Sequence, residues 1–211
     1  ANADGSIDVR SEFNLGISQN CAKRDRKDLD DDGVGETNMS KEAFDAFILG
    51  RHVLSDATNA GAITDAQLAV VTAQAAIAGK AMEKCVAATV VHYINDTIGD
   101  MADFDATNSV FKDTSNFKDL AKHWSEMKGF ALGLQFSPWS PFAADKTERD
   151  KLKTILSDMG DGPVLADGSQ AGVAATGTAA EAVAAYKTKL ESARATLATA
   201  YGFSDALAAA W

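Results

Sequence analysis

Apolar residues recur at three- and four-residue spacing from Ser40 onward and at no regular spacing before it. Ser40 is placed to cap a first helix reaching about Asp56, with Phe44, Phe47, Ile48 and Leu54 toward the core. Arg51 falls on or beside that stripe, where an arginine usually snorkels or pairs with a buried carboxylate. Thr64 and Gln67 form a capping box that opens a long second helix running to about Gly99. Its stripe is Leu68, Val71, Ala75, Ala78, Met82, Cys85, Thr89, His92 and Asp96. The opposite face is largely Ala and Val, so this helix is expected to be buried and central.

A loop at about 100–115 follows, then a third helix at about 116–136 with Leu120, Trp124, Met127, Ala131 and Leu134 as its stripe. The segment from Phe136 to Phe142 ends it, because Pro138 and Pro141 cannot continue the hydrogen-bond ladder. A fourth helix covers about 147–159, with Leu152, Ile155, Leu156 and Met159 apolar and Gly160 as its C-terminal cap. After a Gly-, Ala- and Ser-rich loop, Thr178 and Glu181 form a second capping box. The fifth helix then runs to Tyr201, stopped by Gly202, with Val183, Tyr186, Leu190, Ala193 and Leu197 inward. A short helix from Ser204 to Trp211 closes the chain. Neither strand alternation, a heptad array nor an internal repeat is present. The expected fold is all-α: an up-and-down bundle of four to five helices over residues 40–211, preceded by an irregular acidic arm at 1–39.

With 211 residues, 46% of them hydrophobic, the chain can bury a substantial core and is not wholly disordered. Its 30 acidic against 20 basic residues exclude the basic face a nucleic-acid protein needs. The longest uncharged helical run, Ala66 to Gly79, is shorter than the roughly 20 apolar residues that span a bilayer. The chain starts at Ala1 without a leader-like segment, so any signal peptide is expected to be missing from it. Cys21 and Cys85 are either one disulfide of an exported protein or two thiols, Cys85 then being a small buried hydrophobe.

Three constellations carry candidate chemistry. His123 and Glu126 stand three residues apart on the third helix, a spacing that puts an imidazole and a carboxylate on one face where both can reach one metal ion. Gly129 and Gly133 continue that face and allow close approach. His92 and Asp96 stand one turn apart on the central helix; His92 is either a satisfied core residue or a further ligand near His123, with Asp96 supporting it. The run Asp28-Leu-Asp30-Asp31-Asp32-Gly33 begins like an EF-hand loop, with Glu36 at its ninth position, but Met39 stands where the bidentate Glu belongs. It is a candidate calcium loop or a solvated acidic turn. Ala3–Asp8 echoes the middle of such a loop. Nucleotide-binding glycine motifs, a G-x-S-x-G elbow, C-x-x-C and H-E-x-x-H are all absent.

The run from Leu120 to Pro138, with His123-Trp-Ser-Glu126-Met-Lys-Gly129 at its centre, resembles imelysin-like proteins, in particular an uncharacterised bacterial branch of that superfamily. Ser11–Gly16, Ala22–Asp25, Gly50-Arg51, His92–Asp96 and Tyr201–Phe203 are similar to the same branch, so the resemblance covers most of the chain. It implies an exported, all-helical protein of two bundles, at the periplasm or cell surface, with an iron-regulated role. It also implies a metal site at His123 and Glu126, for iron or another divalent transition ion, with Arg51 or His92 orienting the ligands or balancing charge. That branch is longer, so Ala1 is expected to begin midway. The first bundle, as a cleaved chain or a separate polypeptide, is then the expected partner. Three functions follow: a non-catalytic metal-binding protein of iron acquisition, an imelysin-type metallopeptidase, or a cell-surface binding module stabilised by Ca²⁺ at Asp28, Asp30, Asp32 and Glu36.

Overall fold

The structure is a computed structural model that describes residues 20–21, 23–105, 110–111 and 114–211. The Ala3–Asp8 echo and the Ser11–Gly16 run lie outside the described residues. Helices account for most of what is described: α1 (Met39–Asn59), α2 (Asp65–Asp100), α3 (Thr114–Gly133), α4 (Lys146–Asp158), α5 (Ala179–Tyr201) and α6 (Asp205–Ala210). The fold is all-α, as the periodicity predicts. The expected loop after α2 holds one short antiparallel ladder, β1 (Phe104–Asp105) with β2 (Val110–Phe111). Two compact units meet at Val86/Ala87, inside α2.

In the first unit, the start of α1 is fixed from a distance. Asn38, at the N-cap position, makes no side-chain cap. Instead, the Asp25 carboxylate accepts hydrogen bonds from Met39 N (2.8 Å), Ser40 N (2.9 Å) and the Ser40 and Thr37 hydroxyls. Ser40, expected to cap, is therefore a donor to the capping group, because its own amide is one of those needing an acceptor. Desolvation pushes the Asp25 carboxyl up, but the hydrogen bonds from Ser40, Met39 and Thr37 outweigh it and hold it below its ordinary value. Cys21 is bonded to Cys85. The Thr64–Gln67 capping box at the start of α2 forms as expected.

The face of α1 that is buried is not the one expected. Met39, Ala46, Gly50 and Ala57 are inside, whereas Phe44, Phe47, Ile48 and Leu54 are exposed. Small residues let two backbones approach, and the Gly50 side of α1 lies against Gln74 of α2, where an added Cβ would meet the Gln74 Cβ at 3.6 Å. Likewise α2 is not buried along its whole length: Leu68, Val70, Ile77 and Met82 are exposed, and continuous burial begins near Cys85.

The second unit has the core the stripes predict. Leu120, Met127 and Ala131 of α3 with Leu134 just beyond it, Leu152 and Ile155 of α4 with Met159 just beyond it, and Val183, Tyr186, Leu190, Ala193 and Leu197 of α5 are all buried. The C-terminal carbonyls of α4 find partners on other elements, as buried helix ends require. Met159 O accepts from Trp124 Nε1 (2.9 Å) and Tyr186 Oη (2.8 Å), and Lys128 Nζ donates to Leu156 O and Gly160 O. Gly160 has φ +71°, and a Cβ there would sit 2.4 Å from the Gln170 amide. The Thr178–Glu181 capping box and the left-handed Gly202 bound α5 where expected. Asn95 ties α2 to α5 and to the chain beyond it: its Oδ1 accepts from Arg194, and its Nδ2 donates to Ala208 O and Trp211 O.

Candidate metal centre

The site lies in the second unit. Residues four apart on a helix share a face, so α2 presents His92, Asp96 and Asp100 one above another. Opposite them α3 brings His123. The four side chains form a row: His92 Nε2 is 3.0 Å from Asp96 Oδ2, His123 Nε2 is 3.8 Å from the same oxygen, and His123 Nδ1 is 2.7 Å from Asp100 Oδ2. All four are largely covered, His123 and Asp100 being 18% and 16% exposed.

The Asp100 contact decides how His123 is used. An ionised carboxylate only accepts, so Nδ1 carries the proton and donates, and Nε2 is left pointing along the row. At 3.8 Å that nitrogen is beyond hydrogen-bond reach of Asp96. Tyr93 packs on the His123 ring at 6.1 Å between centroids and on Phe130 at 5.9 Å, which fixes the plane of the imidazole. Desolvation raises the Asp100 carboxyl above its ordinary value. The hydrogen bond from His123 pulls it back only in part, and the like charges of Asp96 and Asp119 push the same way as burial.

Glu126 follows His123 by three residues and so lies on the same side of α3. Its Oε2 is buried and has no hydrogen-bond partner. The rest of the motif serves the fold. Trp124 and Lys128 turn to the end of α4, and Met127 enters the core. The expected sequence motif therefore divides between two faces of one helix, and only His123 and Glu126 remain for chemistry.

Among the expected site residues, the structure brings His92, Asp96 and His123 together. Asp100 and Tyr93 join them without having been singled out from the sequence. The spacing 92–96–100 carries the signal for Asp100, but its position at the last residue of α2 makes it look like a terminus rather than part of a face. Arg51 lies on the exposed face of α1. His52 is 3.6 Å from Asp56, an exposed pair one turn apart.

Among the described residues, Asp28, Asp30 and Asp32 are the group whose three ligand atoms all fall within 4.8 Å of one another. The loop is shaped by its own backbone. Asp28 accepts from Asp31 N and Gly33 N, and Asp32 accepts from Val34 N. Desolvation, the largest single effect, pushes the Asp28 carboxyl up, and the backbone N–H groups of Gly33, Asp31, Asp30 and Asp32 together outweigh it and hold it below its ordinary value. Glu36 is not a member of this cluster; its N–H closes the base of the loop on Lys27 O at 2.8 Å.

Comparison with family models, with curated proteins and with solved structures finds no match to this chain.

Proposed function

We propose that this chain is an exported, non-catalytic metal-binding protein of bacterial iron acquisition, of the imelysin-like type, with iron or another divalent transition ion held at His123 and Glu126. One observation carries the reading. Glu126 Oε2 is buried without a partner, on the helix side that carries His123. A carboxylate oxygen left so costs on the order of 1–3 kcal/mol, and a bound cation offsets that cost.

The donor types suit such an ion, although no three of these ligand atoms gather as closely as those of Asp28, Asp30 and Asp32. His123 Nε2 offers the imidazole lone pair, and Asp100 on Nδ1 supplies the carboxylate support that fixes the tautomer of a metal-bound histidine. Asp96 Oδ2 adds an oxygen 3.8 Å from Nε2; two ligands on one tetrahedral ion stand roughly 3.4 Å apart. His92, through its contact with Asp96, is either a further ligand or a second support. The ion would supply positive charge and Lewis acidity there. The family resemblance adds iron as its identity and a first bundle as partner. The Cys21–Cys85 bond fits an oxidising compartment such as the periplasm or cell surface, and no described helix is long and apolar enough to cross a membrane. Equilibrium dialysis against Fe²⁺ and Zn²⁺, with His123→Ala as control, tests the reading. Binding that the substitution abolishes is expected; no metal above background would end it.

A second reading rests on the gathered Asp28, Asp30 and Asp32: a binding module stabilised by Ca²⁺. It predicts a melting temperature that rises with Ca²⁺ and ignores His123→Ala. An imelysin-type peptidase would further need an open coordination position and a water activated on the ion, and cleavage of a peptide library by the metal-loaded protein is its test.

A further inference from the structure

Among the described residues, the first unit leaves a large apolar surface open. On α1, Phe44, Phe47, Ile48, Arg51 and Leu54 recur at three- and four-residue steps, which makes one continuous stripe. It lies about a third of a turn from the buried Ala46–Gly50–Ala57 face. Phe44 and Phe47 are 63% and 61% exposed, and Ile48 and Leu54 are about half exposed. On α2, Leu68 and Met82 are also more than half exposed and, fourteen residues apart, share a side of the helix. Joined by residues 60–64 and meeting at Gly50 and Gln74, equally far from that connection, the two helices run antiparallel. For right-handed helices packed through those faces, both stripes emerge on the same side of the pair.

We propose that a second copy of this chain covers that face, as an isologous dimer with α1 packed antiparallel against α1 of its partner. The area argues for it. At 150–250 Å² per large side chain, these groups leave roughly 600 Å² of apolar surface open per copy, the top of the range seen on monomers. Two copies would bury roughly 1,200 Å², the lower limit for a stable specific interface. The order of residues argues for a two-fold axis. An antiparallel copy sets Phe44 opposite Leu54 and Phe47 opposite Arg51, and the same two pairs recur beyond the axis. In that register Arg51 would face Phe47, whose ring can take a guanidinium on its face.

Sedimentation velocity over a wide concentration range tests the proposal. The expected result is a mass twice the 22.1 kDa of the chain at high concentration. The double variant Phe47→Glu/Ile48→Asp is expected to give the single-chain mass throughout, with an unchanged circular dichroism spectrum, because both positions are exposed. Phe44→Ser, a milder change on the same stripe, should weaken association in the same direction. A wild-type chain that stays at the single mass at every concentration overturns the proposal, whether or not another protein occupies the face. Variants that remain dimeric overturn it equally.

Discussion

Breaking the Cys21–Cys85 bond should cost the first unit much of its stability. The bond joins residues 64 apart. Closing a loop of that length in the unfolded chain removes entropy worth about 4 kcal/mol at room temperature in the chain-entropy model, while measured bonds commonly return about 2–4. Cys21→Ser is the cleaner perturbation. It removes the bond but leaves the Cys85 sulfur in its buried place, so no cavity opens in α2. For a protein of this size each kcal/mol moves the midpoint by about 2–4 °C, so a fall of roughly 5–15 °C is expected. Thermal melts followed by circular dichroism, for the variant and for wild type with and without dithiothreitol, measure it. Reduced wild type should melt with the variant. A shift under about 2 °C in both would refute the entropic account, and two titratable thiols in the unreduced, denatured protein would refute the bond.

Trp124→Phe removes the donor to Met159 O and should cost about 1 kcal/mol in urea unfolding, with Tyr186→Phe costing a similar amount; no loss from either would mean the end of α4 is capped otherwise. Asp25→Ala should cost about 1 kcal/mol, the usual worth of a helix cap. Because the Asp25 value is depressed on folding, its contribution is present above the unfolded value of 3.8 and lost as pH falls through the folded one, so the variant should show a flatter acid limb. Asp100 works in the opposite sense. Its folded value is raised, so the native state binds that proton more tightly than the unfolded chain, and stability from it grows as pH falls from the raised value toward 3.8. Asp100→Asn should remove that gain without lowering stability at neutral pH, and a loss of stability there would contradict the assignment.

Much of the second unit is legible in the sequence because local signals and burial agree. The Thr178–Glu181 box, the Val183–Leu197 stripe and Gly202 each state where α5 begins, faces and stops. The first unit is less legible. Periodicity marks Phe44, Phe47, Ile48 and Leu54 as one face but cannot say what covers it, and it is the neighbouring Ala46–Gly50–Ala57 face that is buried, with Gly50 against Gln74 of α2. Asp25 lies fourteen residues before the amide it caps, at Met39, beyond any local capping pattern. At the candidate site, the His92–Asp96 pair follows from one face of α2, while its meeting with His123 rests on α3 packing beside α2. Their support by Asp100 and Tyr93, and the isolation of Glu126 Oε2, depend on how α3 meets α2, which spacing does not encode.

Anomalous diffraction from crystals of protein purified without chelator and soaked with Fe²⁺ or Zn²⁺, collected at the absorption edge of each metal, tests the central claim most directly. A peak is expected within bonding distance of His123 Nε2 and Glu126 Oε2, on the Asp96 side of the imidazole. A peak confined to the Asp28–Asp32 loop, or none, would contradict that claim.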